Sequence, residues 1–245
     1  MIITKADLKF IKSLQLKKNR IEHQCFLVEG TKSVQELMIS DFTVELVAGD
    51  NLFLEANANL LEHTTNYEIK ASDINTISSF KNNNSVIAVA KIPSQSTINI
   101  LPNEFVLALD DVRDPGNLGT IIRIADWYGI DKILASPTTA DFYNPKVISA
   151  SMGSFTRVRM YRSDLESDLK SYDGEIYGAL MNGQSLHETS FKKGGILVMG
   201  NESIGISPEV ENLITSKITI PRYGHAESLN VGIATAVICD RIRNQ

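Results

Sequence analysis

Two cysteines in 245 residues, Cys25 and Cys239, stand far apart with no Cys or His at metal-ligand spacing beside them. This excludes a disulfide scaffold and argues against a structural zinc site. No apolar run approaches the roughly 18 residues of a membrane span. The opening MIITKADLKF has neither an apolar core nor a small-residue cleavage site, so no signal peptide is expected and a reducing cytoplasm is the expected location. No Ser/His/Asp or Cys/His set has a recognisable spacing, which argues against a hydrolase. No G-x-G-x-x-G follows a strand, so a nicotinamide-binding Rossmann unit is poorly supported. Internal repeats and low-complexity tracts are also missing.

What is present is an ordinary globular composition, 43% hydrophobic and 22% charged, with a net charge of −5. The charge is uneven. Residues 1–32 carry Lys5, Lys9, Lys12, Lys17, Lys18, Arg20 and Lys32 against only Asp7, Glu22 and Glu29. A basic patch on an acidic body fits RNA phosphates, but on charge alone a solvated amphipathic helix is the favoured reading.

Leu8, Ile11, Leu14 and Leu16 among lysines predict a helix over 4–19. A strand at Cys25–Val28 follows, then a helix that Thr31 is placed to cap. Residues 43–48 and 86–90 read as strands, with a turn at Asn82, Asn83 and Asn84 before the second. Residues 1–92 form one small α/β unit in this reading, and the proline-containing 93–104 is a linker. From 105 onward short apolar strands (Phe105–Leu109, Lys132–Ala135, Val158–Tyr161, Glu175–Leu180, Gly195–Met199, Ile218–Ile220) alternate with helices at 118–128, 145–152 and 229–242. That alternation predicts an α/β fold with a mostly parallel sheet covered on both faces.

Ligands of such sheets gather at strand carboxyl ends, where three loops have unusual composition. In the first, Asp110 to Thr120, Asn117 suits a helix N-cap. Arg123, one turn into that helix, would lean back over Gly119 and Gly116 to an anion at the helix N-terminus. A plain surface pair with Asp126 or Asp114 is the alternative. In the second, Gly200 after an apolar strand allows close approach of a ligand to the backbone, and Glu202 could bind a hydroxyl or orient a neighbour. A capping loop for a helix starting near Ser207-Pro208 is the alternative. In the third, Ile220-Pro221 leads to Ser228-Leu229-Asn230. Ser228 is a natural N-cap for helix 229–242, whereas the Asn230 amide, at an apolar helix start, needs a partner.

These three loops together resemble the three motifs of the SpoU (TrmH) family of RNA 2′-O-ribose methyltransferases, in the SPOUT superfamily. Asn117-Leu118-Gly119 with Arg123 resembles the first. Gly200-Asn201-Glu202-Ser203-Ile204-Gly205 resembles the second. Ile220-Pro221 with Ser228-Leu229-Asn230-Val231 and Ala234 resembles the third. Asn144-Pro145-Lys146 with Ser151-Met152-Gly153 is similar to a family stretch between motifs one and two. Residues 20–38 are similar to the auxiliary RNA-binding domain. The resemblance spans nearly the whole chain, loosely over 40–85, and Asn201 is a mild departure.

The resemblance implies a methyltransferase domain over 105–245 whose C-terminal segment threads a trefoil knot, behind an auxiliary RNA substrate-binding domain over 1–92. It implies S-adenosyl-L-methionine as cofactor, cradled by the main chain at Gly200, Ile220 and Leu229. Arg123 would help activate the target ribose 2′-hydroxyl with an RNA phosphate as its partner. Asn117, Glu202, Ser228 and Asn230 would complete the site. It further implies a homodimer through the knot region, no metal, no membrane, and RNA as partner, with rRNA favoured over tRNA. A non-catalytic RNA-binding or ribosome-assembly protein is the rival, but such a protein has no need of the second and third motifs.

Overall fold

The computed structural model describes residues 3–80, 85–94 and 97–244. The described residues divide into two compact units: those up to 94 together with 141–156, and those from 97 to 140 together with 157–244. The turn expected at Asn82, Asn83 and Asn84 lies outside the described residues, as does part of the 93–104 linker. None of the described helices is long and apolar enough to cross a membrane.

The first unit runs α1 (Lys5–Ser13), α2 (Lys17–His23), β1 (Cys25–Glu29), α3 (Thr31–Met38), β2 (Val44–Gly49), α4 (Asn51–Ala56), β3 (Thr65–Glu68), α5 (Ala71–Ile77) and β4 (Val86–Lys91). The single helix predicted over 4–19 is two. Side chains explain the break: Asn19 Nδ2 donates to Ser13 O, and Arg20 Nη1 donates to Leu14 O and Gln15 O at 2.8 Å each, taking the carbonyls at the end of α1. Thr31 opens α3, whose N-cap is Gly30 at φ 89°, so the expected Thr31 cap is not made. The strands lie in the order β1-β4-β2-β3, with β1/β4 and β2/β4 antiparallel and β2/β3 parallel.

Both faces of β1 are buried. Leu27 joins Ile11, Leu14, Ile74 and Ile87 on one face. On the other, Phe26 packs against Tyr143, with tilted rings, and edge-to-face against Phe155, at centroid separations of 4.7 and 6.1 Å. Residues 141–156, with α7 (Pro145–Ala150), therefore complete the core of this unit although they lie far along the chain. Each fully buried aliphatic or aromatic side chain contributes about 1.5–3 kcal/mol. Arg20 is 2% exposed and pairs with Asp141 at 2.6 Å. It therefore drops out of the basic patch read from the sequence, leaving the exposed Lys5, Lys9, Lys12, Lys17, Lys18 and Lys32.

The second unit contains β5 (Phe105–Leu109), α6 (Pro115–Trp127), β6 (Lys132–Ala135), β7 (Arg159–Arg162), α8 (Leu165–Lys170), β8 (Ile176–Ser185), β9 (Gly195–Met199), α9 (Pro208–Glu211), β10 (Ser216–Thr219) and α10 (Val231–Arg243). Its strands are ordered β10-β8-β9-β5-β6-β7, and every neighbouring pair is parallel. Every residue of β5 and β9 is buried, which is why both read as unbroken apolar runs. The chain leaves β5 toward β6 on one side, and leaves β9 toward β10 on the other. The β5/β9 boundary is thus where the crossover direction reverses, the place where open α/β sheets bind ligands.

Candidate active site

Asp114, not Asn117, caps α6. Its Oδ1 accepts from Asn117 N at 2.8 Å, and Pro115 takes the first helical position, where a missing N–H costs nothing. The helix therefore begins three residues earlier than the apolar pattern suggested, and the Asn117 side chain is freed for other partners. In the same way Asn230, not Ser228, caps α10. Its Oδ1 accepts from Gly232 N at 2.9 Å and Ile233 N at 3.3 Å. Ser228 is exposed in the preceding loop.

Three of the sequence-predicted residues come together. Asn117 Nδ2 donates to Glu202 Oε1 at 2.6 Å, and Asn230 Nδ2 donates to Asn117 Oδ1 at 2.8 Å. The amide orientations follow from chemistry. An ionised carboxylate only accepts, so Asn117 must turn its NH2 to Glu202 and its carbonyl to Asn230. Asn230 must then donate to Asn117 and turn its own carbonyl to the open N–H groups of α10. One directed chain of hydrogen bonds ties together the loops after β5, β9 and β10, and the partner that Asn230 needed is Asn117.

The loop after β9 folds on itself. Asn201 N donates to Gly205 O at 2.9 Å and Gly205 N to Asn201 O at 3.0 Å, with Gly205 at φ 75°. A Cβ on Gly200 would lie 2.4–2.5 Å from the Gly205 and Ile206 backbone. Glycine is therefore required at 200 by the chain's own turn, before any ligand is considered.

Arg123 is exposed and makes no hydrogen bond or ion pair with any described residue. The plain surface pairs are not formed: Asp126 binds Arg157 at 2.9 Å, and Asp114 caps the helix. Ile220 follows the last ladder residue of β10 and is half-buried, while Leu229 is 49% exposed. Among the described residues, the peptide groups of 222–229 enter no backbone–backbone hydrogen bond. Only the Ala226 carbonyl is met, by Arg222 Nη1 at 3.4 Å. Such a segment offers free peptide donors and acceptors beside the exposed apolar Leu229.

Sequence reasoning missed Asp111 and the role of Asn201. Asp111 is 8% exposed and has φ 62°. Its N–H donates to Ser136 Oγ at 2.9 Å. Its Oδ1 accepts from Arg113 Nε at 2.7 Å, and its carbonyl and Oδ2 accept from Asn201 Nδ2 at 2.9 and 3.1 Å. Asn201 Oδ1 meanwhile accepts from Ser203 N and Ile204 N. Burial works to raise the Asp111 carboxyl, but hydrogen bonds from Arg113, Thr138 and Asn201 with the Arg113 charge outweigh it and hold it below the usual carboxylate range. Neighbouring Asp110 accepts from Ser207 N at 2.7 Å, a further tie between the β5 and β9 loops. The signal available was two consecutive acids directly after a buried strand.

The family model described as SpoU rRNA Methylase family matches residues 104–240. A second, described as MRM3-like substrate binding domain, matches residues 5–88. The chain belongs to the SpoU rRNA Methylase family. It is 31% identical over 237 residues to RlmP of Bacillus subtilis, a 23S rRNA (guanosine(2553)-2'-O)-methyltransferase, covering 95% of this chain and 94% of that one. Among solved structures, a TrmH-family protein from Porphyromonas gingivalis is 35% identical with a TM-score of 0.90, covering 100% of this chain and 99% of the other. An AdoMet-bound rRNA methyltransferase from Sinorhizobium meliloti is 27% identical with a TM-score of 0.88, covering 99% and 95%.

Proposed function

We propose that this protein uses S-adenosylmethionine to methylate a ribose 2′-hydroxyl in structured RNA, ribosomal rather than transfer RNA. The observation that carries the reading is the chain Glu202–Asn117–Asn230, which joins the three motif loops at one end of the sheet. The 23S rRNA activity named for RlmP supports rRNA as the substrate class.

The main chain at Gly200, Ile220 and Leu229 would hold the cofactor. The peptides of 222–229, which enter no backbone–backbone hydrogen bond, and the exposed Leu229 fit a ligand that combines a nucleoside with an aliphatic amino acid. The bound cofactor supplies a methyl group on a sulfonium, a good leaving group. Arg123, unengaged and exposed, would stabilise the 2′-oxygen as its proton passes to water and the oxygen takes the methyl group from sulfur, leaving S-adenosylhomocysteine, and would grip the adjoining phosphate. Asn117, Glu202 and Asn230 would hold the loops in register, and Ser228 would contribute its hydroxyl from the third loop. Held geometry supplies much of the remaining rate.

In this reading residues 1–92 are the auxiliary RNA-binding domain, 93–104 a linker, and 105–245 the methyltransferase domain, with α10 threading a trefoil knot. The protein works in the cytoplasm as a homodimer through the knot region. Support for the dimer is apolar exposure on a packed helix pair: Ile233 and Val237 lie one turn apart on α10, and Trp127 is 81% exposed on α6, which packs against α10.

Calorimetric titration with S-adenosylmethionine, paired with sedimentation, tests the reading. Stoichiometric binding by a dimer is expected. A protein that binds no S-adenosylmethionine contradicts it.

A further inference from the structure

Arg113 pairs with Asp111 but has no role in the chemistry proposed above. Its side chain is 67% exposed, yet it is held from one side only. Nε donates to Asp111 Oδ1 at 2.7 Å, and neither Nη makes a hydrogen bond with any described residue. A guanidinium clamped through Nε keeps its end-on fork of N–H donors free in a fixed direction, the geometry that grips a phosphate through two oxygens.

The clamp itself is unusual in its construction. Asp111 is a buried, non-glycine residue with φ 62°, a conformation that persists only where the surroundings enforce it. Here the enforcement is visible: Ser136 Oγ takes its N–H, and Asn201 Nδ2 binds both its carbonyl and its Oδ2. Asn201 in turn shapes the loop that carries Glu202. The loops after β5, β6 and β9, through Asp111, Ser136 and Asn201, thus jointly aim one exposed cation. Arg113 lies just before α6 on the chain, and Arg123 stands about 12 Å along the axis from the first residue of α6. The Arg123 side chain leans back toward that end.

We infer that Arg113 binds a backbone phosphate of the substrate RNA, and that Asp111 and Asn201 are positioning residues that aim it. This rests on the reading of the protein as an RNA methyltransferase and adds a substrate contact to it.

The test uses the full-length protein and unmodified 23S rRNA transcribed in vitro. It compares wild type, Arg113→Ala, Arg113→Lys, Asp111→Asn and the double variant Asp111→Asn/Arg113→Ala. Wild-type methyl transfer is read first, then KM and kcat for RNA, then RNA binding across a salt series. Arg113→Ala is expected to raise KM for RNA about tenfold while kcat stays within about a factor of two, the pattern of a lost uniform binding contact. Its plot of log K against log salt becomes shallower by roughly 0.7–0.9, the release of one phosphate contact. Arg113→Lys restores the salt slope but not the full affinity, because it keeps the charge without the fork. Asp111→Asn raises KM on its own, since asparagine tolerates the same backbone but does not hold the guanidinium as a carboxylate does. It adds nothing in the Arg113→Ala background if it acts through Arg113. An active wild type together with an Arg113→Ala variant of unchanged KM and salt slope overturns the inference and leaves the enzyme reading intact. An inactive wild type overturns the enzyme reading, and the salt slopes of RNA binding then decide the Arg113 contact alone.

Discussion

Asn117 Nδ2 donates to Glu202 Oε1 at 2.6 Å across 85 residues of sequence, and this one contact sets the direction of every hydrogen bond that follows it to the start of α10. Glu202 accepts, Asn117 is forced to present its carbonyl to Asn230, and Asn230 is left to cap the helix with its own oxygen. A carboxylate in the loop after β9 therefore orients, through Asn117, the residue that caps α10.

Asn230 does two jobs that substitution separates. Asn230→Ala removes the cap and should cost about 1 kcal/mol of stability. Asn230→Asp keeps the cap but has no donor for Asn117, so it should match wild type in stability and lose methyl transfer. Thermal melts and single-turnover methylation distinguish the two, and equal activity of Asn230→Asp and wild type would show that the Asn117 contact is dispensable.

Gly200→Ala places a methyl group 2.4–2.5 Å from the Gly205 and Ile206 backbone. Overpacking of this kind costs about 1–3 kcal/mol. Denaturant unfolding should give a lower midpoint at unchanged slope, with S-adenosylmethionine absent throughout. Wild-type stability would mean that glycine is needed there only for a ligand.

Arg123→Ala should leave the melting temperature within error, because an exposed side chain with no partner contributes less than about 0.5 kcal/mol. Methyl transfer should fall by about 10²–10³ while S-adenosylmethionine binds as before. Full activity in the variant would remove Arg123 from the chemistry.

Asp111 makes a pH prediction with a definite sign. Its folded pKa is lowered, so its stabilising contribution is complete above the unfolded carboxyl value of about 3.9 and is lost as pH falls through the lower folded value. Between pH 5 and 3 wild type should lose melting temperature faster than Asp111→Asn. Parallel curves would mean that the Arg113 and Asn201 contacts do not hold the carboxylate in solution.

The central strands were legible because they are simple. Phe105–Leu109, Lys132–Ala135 and Gly195–Met199 are short apolar runs closed by polar loops, and the structure keeps those bounds. The caps misled: Asp114 and Asn230 each stand one short step from the residue that the apolar pattern favoured, and only the Asp114-Pro115 pair carried a local signal. The strand β3 and helices α4, α5 and α8 were missed, being four to seven residues long with little periodicity. Nothing local marks residues 141–156 as part of the first unit, since their place depends on Phe26 and Arg20, more than 100 residues away. At the site, the residue types and their loops were visible in the sequence. Their pairing was not, because Glu202, Asn117 and Asn230 meet only when the crossovers from β5 through β10 bring their three loops to one end of the sheet.

The most direct measurement is transfer of labelled methyl from S-adenosylmethionine to 23S rRNA lacking its native modifications, followed by nuclease digestion and nucleoside mass spectrometry. The account predicts a single 2′-O-methylnucleoside, at one position, lost in Arg123→Ala. A methyl group found on a base, or no incorporation by a protein that binds both the RNA and S-adenosylmethionine, would contradict it.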